Sequence, residues 1–213
     1  MAIARHTRRL LLCASAAALL AACSTPPSRF YHLDAVAPDA ASQDAAQPNS
    51  ARPAAAQSRG AEAQRRVIGL EGVKVPGYLD RSELVMRAPG NRLVVREFDR
   101  WGGPLDEMVT RTLLRNLEAD LPGTEVVGLP LQRDFPLSQV VEVTVDRFDA
   151  AEDGPAVLEA RWRVFDQGGD RLRRLGHTAA QEPVSAAGDP GAVADALSRT
   201  LARLAQDIAS ALR

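Results

Sequence analysis

Gln139-Val140-Val141-Glu142-Val143-Thr144-Val145-Asp146-Arg147-Phe148 sets Val141, Val143 and Val145 in alternation with Glu142, Thr144 and Asp146. A two-residue period sends the two sets to opposite faces of an extended chain, so the segment reads as a strand with one face buried. Working outward, residues 156–166 and 171–181 bracket Gln167-Gly168-Gly169-Asp170 and read as a hairpin. Residues 83–87 and 92–97 flank Ala88-Pro89-Gly90-Asn91, whose Pro-Gly chemistry suits a tight reversal and makes a second hairpin. Residues 67–75 carry branched aliphatics up to Pro76-Gly77, and Val126-Val127 marks a short strand.

Two helices interrupt the strands. Pro104 opens a stretch in which Leu105, Met108, Val109, Thr112, Leu113 and Leu117 recur at i+3/i+4 spacing, ended by Pro122-Gly123. Asp189-Pro190 combines an N-cap acid with a proline at the first helical position, followed by Val193, Leu197, Leu201, Leu204, Ile208 and Leu212. The pattern predicts an α/β or α+β fold, with a mixed, largely antiparallel sheet packed by two amphipathic helices. Its body, residues 66–213, is large enough to fold alone. Residues 35–65 are dominated by Ala, Pro, Gln, Ser and Asp, bury too little to offset ordering entropy, and read as a disordered tether. Just before them, Ser28-Arg29-Phe30-Tyr31-His32-Leu33 reads as a short strand returning to the body, so that residues 23–34 form a separate N-terminal piece.

The first 22 residues read as an address. Residues 1–9 are basic and residues 10–20 are apolar but well short of the roughly 20 residues a spanning helix needs, which is the layout of an export signal. Leu20-Ala21-Ala22-Cys23 then matches the lipobox of bacterial lipoproteins, in which cleavage leaves Cys23 as a lipidated first residue. Thr7-Arg8-Arg9-Leu10 leaves the twin-arginine route open beside the general one. Ser24 stands where Asp would favour inner-membrane retention, which points to the outer membrane with the domain facing the periplasm. Multiple acyl chains on Cys23 would anchor the protein stably. Cys13 lies in the leader, so the processed body has neither a disulfide nor a thiolate metal site.

Charge narrows the function. The chain carries 26 basic and 27 acidic residues, and loss of the leader with Arg5, Arg8 and Arg9 leaves 23 against 27. That balance gives no broad positive field for nucleic acid. The sequence contains no nucleophile elbow, zincin helix, phosphate loop or dinucleotide fingerprint. His177 reads as an edge or surface residue, and Glu152 and Asp153 beside Gly154-Pro155 as solvated turn acids. Arg161, Arg163, Arg171, Arg173 and Arg174 crowd the later hairpin, with residues 161 and 163 on one face, as are 171 and 173 in a regular strand. They read chiefly as a solvated sheet face, the alternative being a cationic patch for lipid headgroups or an acidic partner. The reading is a non-enzyme without cofactor or metal. Tyr78 in a Pro-Gly turn and Trp101 immediately before a helix read, on physical grounds, as plugs bracing the helix start.

At these residues the chain resembles the PqiC family of ABC-type transport auxiliary lipoproteins. The fragments that carry the resemblance are Cys23 followed by Phe30-Tyr31-His32-Leu33, Val75-Pro76-Gly77-Tyr78-Leu79-Asp80-Arg81, and Arg100-Trp101 with Pro104-Leu105. Gly102-Gly103 stands where bulkier residues are usual. The resemblance implies a non-enzymatic outer-membrane lipoprotein that docks a periplasm-spanning MCE-domain protein, together with a membrane permease or ABC components, in lipid transport and envelope integrity. It marks Pro76, Gly77, Tyr78, Leu79, Arg100 and Trp101 as partner-binding residues and leaves a homo-oligomer possible. The competing reading is a lipid-binding carrier or receptor that acts without an MCE partner.

Overall fold

A computed structural model describes residues 26–36, 66–131, 136–167 and 169–213. The leader, Cys23 and residues 37–65 of the expected tether lie outside the described residues. Eight strands form one open sheet: β1 Arg29–Tyr31, β2 Val67–Leu70, β3 Glu83–Ala88, β4 Arg92–Trp101, β5 Glu125–Gly128, β6 Gln139–Ala151, β7 Ala156–Phe165 and β8 Leu172–Glu182. The helices are α1 Leu105–Asp120 and α2 Pro190–Leu212, and a 3-10 turn occupies Gly77–Leu79. The architecture is α+β, as the pattern predicts.

The alternating segment is the hub. One edge of β6 pairs antiparallel with β7 from Val140 to Ala150, and β8 continues the sheet beyond it. The other edge is shared: β2 pairs parallel near the start of β6, and β3 pairs parallel near its end, at Met86–Ala150 and Arg87–Ala151. The sheet therefore forks into a β2-β5 wing and a β3-β4-β1 wing. Between the wings the chain still follows β6, with the Glu71 amide donating to the Val141 carbonyl and the Val145 amide to that of Lys74. The strand expected over residues 67–75 is thus only Val67–Leu70, with an isolated bridge from Lys74 to Thr144.

Both helices close one face. Their periodic residues, from Leu105 to Leu117 in α1 and from Val193 to Leu212 in α2, are buried in one cluster with Val141, Val143, Val145, Phe148 and Leu158. Each such aliphatic side chain contributes about 1.5–3 kcal/mol on burial. The Asp189 carboxylate accepts the Gly191 amide at 3.0 Å and caps α2 as its sequence predicts.

Two departures share a cause. An extra residue interrupts β6 between Val145 and Arg147, so the alternation changes phase: Phe148 and Ala150 join the core cluster, and Asp149 turns to the opposite face, where it is nonetheless fully buried. A second irregularity sets Leu172 opposite Phe165 and Arg174 opposite Val164, so Arg171 and Arg173 do not continue a regular strand face as expected. Arg161 and Arg163 are held by Asp146 at 2.6 Å and Glu142 at 2.7 Å.

The N-terminal strand does join the sheet, parallel to β4, with Arg29 opposite Asp99 and Tyr31 opposite Trp101. Beyond it, residues 33–36 run between the helices. Leu33 is buried, its carbonyl accepts from Thr112, the Asp34 amide donates to Ser198, and the Val36 amide donates to Asn116 at 3.0 Å. Gly102 permits this course, because a Cβ there would stand 2.3 Å from the His32 ring. Gly176 plays the same part for Trp162, whose buried indole would lie 2.1 Å from an added Cβ and donates to Thr178. Gly176→Ala is therefore expected to destabilise by about 1–3 kcal/mol, the cost of overpacking a core. Gly102→Ala meets only the exposed, swinging His32 and should cost clearly less. Thermal denaturation of the two variants checks the order, and equal costs would contradict this packing.

Candidate functional site

The fragments scattered through the sequence converge on one corner. Trp101 ends β4, where its amide donates to the Ser82 carbonyl at 2.7 Å, while the Gly102 amide donates to the Tyr31 carbonyl at 2.8 Å. Arg100 reaches Glu83 at 3.7 Å. The 3-10 turn is closed by the Leu79 amide on the Pro76 carbonyl and leads directly into Ser82 and β3. Pro76, Gly77, Tyr78, Leu79, Arg100 and Trp101 thus lie around neighbouring chain segments, in different roles. Leu79 is 2% and Trp101 5% exposed, and both side chains belong to the core. Pro76, Tyr78 and Arg100 are half-buried, and Gly77 is exposed.

Two buried carboxylates, unmarked in the sequence reading, hold this corner together. Asp99 accepts from Arg29 Nε at 2.8 Å, Tyr31 Oη at 3.1 Å and Arg96 Nε at 3.3 Å. Asp149 accepts from Tyr78 Oη at 2.8 Å, Arg87 Nη2 at 2.8 Å and Arg147 Nε at 3.0 Å. Each acid receives a tyrosine and two arginines, which compensates the loss of water that an unpaired buried charge could not tolerate. Burial by itself raises the Asp149 pKa, but the hydrogen bonds from Arg87, Tyr78 and Arg147 outweigh it and hold the carboxyl below the ordinary aspartate range. Burial, followed by the hydrogen bond and charge of Asp149, pushes the Tyr78 hydroxyl up to about 12, so it remains a donor at neutral pH. The sequence signal for Asp149 was available only as an acid at the end of a valine-rich strand; the phase change that turns it towards Tyr78, Arg87 and Arg147 was not.

Beside the turn lies an open groove of about 700 Å³ between residues 72–80 and the start of α1. Gly77, Lys74, Asp80, Asp106, Glu107 and Arg111 line it, so it offers both signs of charge. A Cβ at Gly77 would meet nothing within 4 Å. Among the described residues no group of three or more His, Cys, Asp or Glu side chains is placed to hold a metal, and no helix is long and apolar enough to cross a membrane. His177 is an exposed residue of the edge strand β8, and Glu152 and Asp153 lie in the turn between β6 and β7.

A lowered folded-state pKa at Asp149 means that the folded form binds this proton less readily than the unfolded chain. Its contribution is therefore complete well above the unfolded aspartate value of about 3.9 and is lost as pH falls through the lower folded value. Asp149→Asn is expected to cost about 2–4 kcal/mol near neutrality, since it leaves two arginines facing a neutral amide. It should also flatten the loss of stability below about pH 4. Urea unfolding against pH checks both; an unchanged acid slope would contradict this role.

Comparison with known proteins follows this geometry. A sequence model of the family described as "ABC-type transport auxiliary lipoprotein component" matches residues 49–209. The chain is 31% identical over 108 residues to the intermembrane transport lipoprotein PqiC of Escherichia coli K12, covering 51% of this chain and 56% of that protein. PqiC of Shigella flexneri matches to the same extent. The chain thus spans about half the length of the curated relatives it matches. Among solved structures, an uncharacterized protein superposes with a TM-score of 0.67 at 22% identity, covering 88% of this chain and 100% of that one. Protein XCC0632 from Xanthomonas campestris superposes with a TM-score of 0.62 at 16% identity, covering 86% and 94%. These two likenesses show the fold. The family match takes in well over half of the residues, and the chain belongs to the ABC-type transport auxiliary lipoprotein family.

Proposed function

We propose that this transport-associated lipoprotein is a non-enzymatic subunit, lipidated on Cys23 and held on the outer membrane facing the periplasm. In this reading it docks an MCE-domain protein, with its permease or ABC components, in a lipid transport system that supports envelope integrity. The observation that carries the reading is the convergence of the family-like fragments on one corner. Leu79 and Trp101 brace that corner from beneath. Tyr78 fixes the turn through Asp149. Pro76, Gly77 and Arg100 keep solvent exposure, and Gly77 lines a groove whose two signs of charge suit a folded protein partner better than an acyl chain. The carrier reading has less support, since the groove is open and carries Lys74, Asp80, Asp106, Glu107 and Arg111 on its walls. The buried acids, saturated by arginine and tyrosine donors, serve as struts.

The lipidated chain is expected to co-purify in detergent with an MCE-domain protein from the same cells. Gly77→Arg fills the mouth of the groove without touching the core, so it should weaken that association at least tenfold, about 1.4 kcal/mol, with an unchanged melting temperature. Cys23→Ser should leave the outer-membrane fraction. Reproducible absence of the MCE protein from a properly anchored preparation would count decisively against the docking role.

A further inference from the structure

From the direction of β1 and the shortness of the chain before it, we infer that the β3-β4 hairpin and Phe30 rest on the phospholipid surface that holds the anchor. This rests on the anchored reading of Cys23. Arg29 lies opposite Asp99, and β1 runs parallel to β4, so the chain enters β1 from the side of the β3-β4 turn. Six residues separate Cys23 from Arg29, a reach of at most about 20 Å. A bulge in β4 sets Arg96 opposite Leu84 but Arg100 opposite Glu83, so the length is read on β3: Glu83 to Ala88, opposite Arg100 to Arg92, is five steps, about 17 Å, and the turn at residues 89–91 extends further. The hairpin and its turn together match the full reach of the tether, so any tether less than fully extended brings the turn onto the bilayer in which it ends.

The side chains there have the matching chemistry. Arg29, Tyr31 and Arg96 all turn to Asp99, so Phe30, Leu93 and Val95 turn to the opposite face. They are 63%, 39% and 38% exposed, three large apolar residues on adjacent strands. Arg92 stands beside them, while Glu97 on β4 and Glu152 and Asp153 at the same end of the sheet offset its charge. The contact is accordingly apolar, at the headgroup boundary, and needs no anionic lipid. The polarity is testable because the start of β8, with Leu175 70% exposed, lies at the far end, level with the beginning of β6.

The test uses the full lipidated chain, in which an introduced cysteine is the one reactive thiol. Leu93→Cys, Phe30→Cys and Leu175→Cys each carry an environment-sensitive fluorophore. They are bound to phosphatidylethanolamine/phosphatidylcholine vesicles containing a lipid spin-labelled near the headgroup. Flotation reports anchoring and quenching reports contact. The expected result is flotation of all three, with quenching at residues 93 and 30 several-fold stronger than at 175 and insensitive to salt. Flotation with equal quenching, or with stronger quenching at 175, overturns the inference and leaves the anchor standing. Failure to float overturns both.

Discussion

A buried carboxylate needs donors, and in this protein several of them come from segments far away in the sequence. Asp99 draws Arg29 and Tyr31 from the N-terminal strand to Arg96 on β4. Without that pairing β1 would be a three-residue edge strand with little to hold it. Asp149 likewise gathers Tyr78, Arg87 and Arg147. Both acids are almost fully buried, so the partners are obligatory rather than decorative. The arginines remain partly solvated, which tempers the desolvation cost.

That constraint bears on the proposed anchoring. The N-terminal segment is threaded beside β4 and then between the two helices, where Thr112, Asn116 and Ser198 satisfy its backbone. Under the proposed lipidation of Cys23, a load on the anchor would pass into the sheet and both helices. The groove lined by Gly77 belongs to the same framework, so a partner bound there under the proposed function would be held in a fixed relation to the N-terminal strand.

Local signals carried most of the fold. Asp189-Pro190 and the i+3/i+4 leucines marked α2; Pro89-Gly90 marked the first hairpin, where Gly90 and Asn91 take φ of 75° and 60°. The alternation of β6 was readable as far as Val145. Features set by non-local pairing were not: the fork of the sheet, the early end of β2 at Leu70, and the phase change that brings Phe148 into the core and turns Asp149 to the other face. At the candidate site, Tyr78 and Trp101 stood out as large aromatics beside backbone punctuation, but nothing in the sequence marked Asp99 and Asp149. Gly102, unusual for the family pattern, makes sense only once His32 is placed over it.

The central claim is that Asp99 fastens the N-terminal segment to the folded body. Hydrogen exchange of the wild-type chain and of Asp99→Asn tests it most directly, read at the amides of Tyr31, Asp34, Val36 and Gly102. The account predicts that the variant loses protection at these amides while those of β7 and β8 keep theirs. Unchanged protection at residues 31–36, or an even loss across the whole sheet, would contradict it.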